Sequence, residues 1–128
     1  MTPADICIFA ALLIAYVCIG AAKAGGFREY DNARPRDPAF YASGWRARAL
    51  GAHQNGLEGF PFFAIAVVLA EFRGVHQATV NALALAFVIV RLGYVAAYIG
   101  DRALIRSTIW TAGFLINIAL FFWACIRP

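Results

Sequence analysis

The sequence predicts an all-α fold, an integral membrane bundle of four helices in a single domain over residues 1–128. Three observations carry that expectation. Hydrophobic residues make up 62% of the chain and charged residues 14%, against about 45–50% apolar in a soluble domain. Four apolar runs, approximately residues 5–23, 44–73, 77–100 and 107–126, are each about long enough to cross a ~30 Å hydrocarbon core. The breaks between them hold the Gly, Pro and charged residues that punctuate turns.

The first run is uncharged from Ile6 to Ala22. A cleaved signal peptide opens on Lys or Arg, whereas here Asp5 precedes the apolar stretch, so a retained span is expected. Lys23 to Ser43 breaks the composition: Gly25-Gly26 is followed by Arg28, Glu29, Asp31, Arg34, Arg36 and Asp37, and Pro35 and Pro38 prevent a continuous helix. This reads as a loop on the water side. Arg34 or Arg36 forms a lip for an anionic ligand, unless the loop is a solvated linker.

The second span begins near Ser43 or Gly44 and ends at about Arg73, with Gly74 as its stop. At about 100° per residue, Arg48, Asn55 and Glu58 fall on one stripe. A carboxylate carried below the interface must be paired or face a wet cavity, which makes the stripe a candidate site. Pro61 is expected to kink the helix and widen the space beside Glu58.

In the third span Arg91 interrupts an uncharged stretch, about nine residues or ~13 Å from the far end. Arg91, Tyr94, Tyr98 and Arg102 share a face about 80° wide. Glu58 lies at a similar depth on the neighbouring helix, so Arg91 and Glu58 are expected to approach, as part of a site or as an ion pair that fixes helix register. The fourth span carries Trp110 and Trp123 near its ends, suited to an interfacial belt, and Asn117 midway, suited to an interhelical hydrogen bond.

Net charge is +4, with Lys and Arg clustered between Lys23 and Arg48. No soluble basic face or RNA-binding motif accompanies them, so membrane lipid or a small anion is the expected partner and nucleic acid is not. Cys7, Cys18 and Cys125 lie in apolar runs without paired spacing and read as packing residues. His53 and His76 stand far apart and no metal site is expected. The loops after the first and third spans hold most of the Lys and Arg, which puts them in the cytoplasm, with both termini on the far side and the polar stripes opening toward the cytosol.

The spacing Arg48-x3-Ala52-x2-Asn55-x2-Glu58-x2-Pro61, followed by Arg91-x2-Tyr94-x3-Tyr98, resembles the MAPEG family, membrane-associated proteins in eicosanoid and glutathione metabolism. Asp31-Asn32-x2-Pro35-Arg36 is similar to first loops of its bacterial members, for which the membrane would be the inner one. The resemblance implies a homotrimer of four-helix bundles with glutathione bound between subunits near the cytosolic face. It implies glutathione contacts for Arg48, Asn55 and Glu58, and contacts from the adjacent subunit for Tyr94 and Tyr98. An arginine after the third span would hold the thiolate; Arg106 is the first choice and Arg102 the second. Gly51 and Gly59 stand where many glutathione-using members carry Arg and some carry Tyr, and each removes a ligand contact.

Conjugation of glutathione to a hydrophobic electrophile, or reduction of a lipid hydroperoxide, is the activity so implied. A non-catalytic lipid- or anion-binding scaffold of the same fold is the alternative, and a small channel a more distant one, since the charges gather at one surface rather than threading the bilayer.

Overall fold

The computed structural model describes residues 1–126 and contains four helices: α1 (Pro3–Gly25), α2 (Gly44–Phe72), α3 (Gln77–Ile99) and α4 (Ala103–Ile126). All four are long and apolar enough to cross a membrane. α2 packs on each of the others and α3 on α1 and α4, while α1 and α4 stand apart. The bundle has a long-loop end, where α1 and α3 finish and α2 and α4 begin, and an opposite end with the short turn between α2 and α3.

Local chemistry sets the helix ends. Thr2 caps α1 reciprocally: its hydroxyl accepts from the Asp5 N–H at 3.1 Å, and its own N–H donates to the Asp5 carboxylate at 2.6 Å, with Pro3 at the first helical position. Gly44 and Gly74 bracket α2 with φ of +65° and +70°, a conformation that side chains with a Cβ resist. Between them α2 continues through Pro61 as a single helix of 29 residues. α4 begins at Ala103, four residues before the expected start, immediately after Asp101 takes φ +58°. Arg106 is therefore helical, its N–H donating to the Arg102 carbonyl at 2.9 Å.

α1 meets α2 along a seam of small residues. Ala4, Cys7, Ala11, Ala15, Cys18 and Ala22 recur at three- and four-residue steps and are buried, facing Ala49, Ala52 and Gly56 among others. Such residues let backbones approach closely where lipid gives no hydrophobic drive to association. At Gly56 the approach is tight enough that a Cβ would lie 2.7 Å from that of Ala15. His53 Nδ1 meets the Ala15 carbonyl at 2.8 Å across the same seam. Farther along, Phe63 and Phe87 stack at 4.0 Å between α2 and α3, among Val67, Val80 and Leu120. Leu13, Val17, Ile65, Leu85 and Leu115 are among the large apolar residues left on the outside, as lipid-facing positions require. Cys7 and Cys18 pack inside, but Cys125 is exposed, contrary to its reading as a packing residue.

The long loop is built on its own contacts. Phe40 sits edge-on to Tyr30 and Tyr41, Arg46 lies over the Phe40 ring and pairs with Glu29 at 2.7 Å, and Tyr41 is buried with its hydroxyl donating to the Pro35 carbonyl at 3.4 Å. Burial pushes the Tyr41 phenol above its ordinary value.

Candidate functional site

At the long-loop end, α2, α3 and α4 line an open cavity of about 460 Å³. Asn55 and Glu58 enter it from α2, Tyr94 and Tyr98 from α3, and Arg106 and Trp110 from α4. Each helix supplies its residues at steps of three or four, so one face of each is polar just where the three converge. A deeper cavity of about 190 Å³ adjoins it, with Asn55, Glu58, Tyr94 and Trp110 in the walls of both and Arg91 in the wall of the second.

A ladder of cations and rings runs along α3. The Arg91 guanidinium lies 4.4 Å from the Tyr94 ring, Tyr94 stands edge-on to Tyr98 at 5.6 Å, and Arg106 reaches from α4 to lie 4.5 Å from the Tyr98 ring. Stacking on a ring holds a guanidinium in place without neutralising it. Among the described residues Arg106 has no carboxylate partner and Glu58 no cationic one. The cavity thus holds one fixed cation and one free carboxylate. Gly51 shapes it further, since a Cβ there would fall on the Tyr98 hydroxyl.

Glu58 and Arg91, expected to approach one another, share the wall of the deeper cavity but form no ion pair. Arg91, 9% exposed, donates from Nη1 to Asn55 Oδ1 at 3.0 Å instead. A guanidinium on a flexible stem reaches toward water, and Asn55 lies three residues nearer the long-loop end than Glu58. Asn117, expected to form an interhelical hydrogen bond, has its Oδ1 buried without a partner among the described residues.

The remaining candidates lie elsewhere. Arg48 faces the end of α3, donating to the Ile99 carbonyl at 2.9 Å and approaching Asp101 at 3.7 Å. Arg34 is held in the loop by Asp31 at 3.3 Å and Asp37 at 3.9 Å, away from both cavities. Arg102 is exposed and lines neither cavity. Arg36 borders a separate hollow between α1, the loop and α2, together with Lys23 and His53. Sequence reasoning passed over Gln54, Ser107 and Thr111, which also line the larger cavity. The signal for α4 was the spacing Arg106, Trp110, Gly113, Asn117, a four-three-four stripe that the late start assigned to this helix concealed.

Among the described residues no group of three or more His, Cys, Asp and Glu stands together to hold a metal ion. The amino-acid sequence matches the MAPEG family over residues 4–126, nearly its whole length. The chain belongs to the MAPEG family. As a MAPEG protein with four apolar helices it is a multi-pass integral membrane protein, of a family whose members use glutathione. No curated protein and no solved structure matches it. The cavity presents Arg106 to an anionic group and Glu58 to a cationic one, and the tyrosine hydroxyls and the Gln54 amide offer hydrogen bonds.

Proposed function

We propose that the protein is a membrane glutathione transferase that conjugates hydrophobic electrophiles or reduces lipid hydroperoxides. The observation that carries this reading is Arg106: a cation on the cavity wall, fixed by the Tyr98 ring and paired with no acid among the described residues. A free thiol has a pKa of about 8.5 and only its thiolate attacks, so a neighbouring fixed cation raises the reactive fraction at neutral pH. Glu58 takes the ammonium of the bound peptide, and Tyr94 and Tyr98 orient it. In conjugation the thiolate sulfur forms a bond to the electrophilic carbon and the leaving group departs with its electron pair. In peroxide reduction the sulfur takes the terminal oxygen, the O–O bond breaks and the alkoxide is protonated to the alcohol. That step leaves glutathione as its sulfenic acid, which condenses with the thiol of a second glutathione to give the disulfide and water.

The family resemblance supports a homotrimer, and the surplus of Lys and Arg at the long-loop end supports a cytosolic opening of the site with both termini opposite. Detergent-purified protein is expected to develop thiolate absorbance on addition of glutathione and to turn over an aryl halide. Absence of both would leave the alternative, a non-catalytic lipid- or anion-binding scaffold. Gly51 favours that second reading, since it leaves the larger cavity with Arg106 as its single guanidinium among the described residues.

A further inference from the structure

The deeper cavity holds a group that the thiol chemistry leaves unused. Asn117 is 4% exposed, it belongs to the cavity wall, and its Oδ1 accepts no hydrogen bond from the described residues. A buried amide oxygen left without a donor costs about 1–3 kcal/mol, so its presence among Phe62, Phe87, Val90 and Phe114 calls for an occupant. Asn117 lies eleven residues beyond Arg106 on α4, about 16 Å along the axis, and Phe62 and Phe87 each stand four residues, about 6 Å, deeper than Glu58 and Arg91 on their own helices. The lone amide therefore marks the apolar floor, and the polar residues that both cavities share mark the roof. Phe62 and Phe114, with ring centres 6.1 Å apart, stand at the side between α2 and α4, and Phe114 is exposed to the surroundings of the bundle.

We propose that this cavity binds an apolar molecule bearing one hydroxyl, with the hydroxyl against Asn117 and the body among the phenylalanines. A volume of about 190 Å³ accommodates a ring-sized group, since an apolar cavity of about 150 Å³ holds benzene. The hydroxyl follows from the amide. Rotation of the carboxamide by half a turn exchanges its oxygen and nitrogen, and a hydroxyl, both donor and acceptor, satisfies either orientation, whereas an ether or ketone satisfies one. The far end of such a molecule points to Asn55, Glu58 and Tyr94, in the wall shared with the larger cavity. That this molecule is the electrophile rests on the proposed thiol transfer; that the cavity is occupied does not.

The test is calorimetric titration of the detergent-solubilised full chain, without thiol, by para-propylphenol and by propylbenzene. The phenol is expected to bind saturably and about tenfold more tightly, the equivalent of one hydrogen bond. Asn117→Leu should abolish the preference while retaining propylbenzene. Gly113→Val should abolish saturable binding of both, because a Cβ at Gly113 is accommodated at 3.4 Å from Val90 and the further methyls enter the cavity. Equal affinities in the unaltered protein, absence of saturable binding, or a preference that survives Asn117→Leu would each overturn the proposal. The first two outcomes need no variant to fold. Since no thiol is present, they leave the glutathione reading standing, just as a missing thiolate signal leaves this one.

Discussion

Glu58 and Glu71 are carboxylates on one helix, and their surroundings could hardly differ more. At the opposite end of the bundle Glu71 accepts from the Thr2 hydroxyl and from Gln77 Nε2, each at 2.8 Å, while Asn81 accepts from the Ala4 N–H at 3.2 Å and from Gln77 at 2.9 Å. This latch ties α1, α2 and α3 together. At the long-loop end, among the described residues, Glu58 has no cation, Arg106 has a ring but no acid, and deeper still Asn117 Oδ1 has no donor. One end uses its polar groups to hold helices in register. The other ties Arg48 and Arg91 across helices but leaves Glu58 and Arg106 without ionic partners among the described residues beside a cavity, the arrangement expected where a ligand supplies them.

The widest gap between the two ends should appear on removing a charge from each. Arg106→Ala is expected to lower thiol-transfer kcat about a hundredfold, as loss of one transition-state donor does, while Arg102→Ala leaves it unchanged; steady-state kinetics with an aryl halide decide this. Glu71→Ala should cost about 2 kcal/mol of stability through its two charge-assisted hydrogen bonds, read as a lower unfolding midpoint in detergent. Glu58→Gln should instead leave that midpoint in place and weaken glutathione binding. Equal destabilisation by the two would dissolve the contrast.

Smaller effects sharpen it. Gly56→Ala forces the α1–α2 seam apart and is expected to cost about 1–2 kcal/mol in the same unfolding assay. Gly51→Ala displaces the Tyr98 hydroxyl and should raise the KM for glutathione roughly threefold to tenfold, the value of one hydrogen bond, without lowering stability as much. The smallest effect belongs to the loop. The Asp31 carboxyl is held below its ordinary value, by the Ala33 N–H first and by Arg34 next. Its lowered folded-state pKa means that its contribution is complete above the unfolded value and disappears as pH falls through the folded one. Acidification should therefore shift the Ala33 amide resonance only below the usual carboxylate range, and Asp31→Asn should remove that titration.

Much of the fold could be read from residue order. Ser43-Gly44 and Gly74 bound α2 because a positive φ suits glycine, and the apolar runs fix span number by length alone. The start of α4 was missed because Arg102 and Arg106 look like a polar turn, whereas a positive φ at Asp101 is a backbone event that composition does not announce. Stripe reasoning placed Asn55, Glu58, Tyr94 and Tyr98 on the faces that line the larger cavity. Depth alone pairs Arg91 with Glu58, whereas the hydrogen bond goes to Asn55, on the same face and one helical step of about 4.5 Å away. The latch at Glu71 needs the register of three helices, and the empty acceptor at Asn117 needs its whole neighbourhood; neither is a property of local spacing.

The unequal grip on the four helices has a kinetic implication. α1 and α2 interlock through side chains too small to slide past one another cheaply, whereas α4 buries only Gly113, Asn117, Leu120 and Ala124 among its described residues and makes no contact with α1. The least anchored rod in the assembly therefore supplies a wall to both hollows. A guest arriving sideways from the lipid is expected to displace that rod rather than the α1–α2 hairpin, so admission and mechanical integrity would fall to different parts of the same small chain.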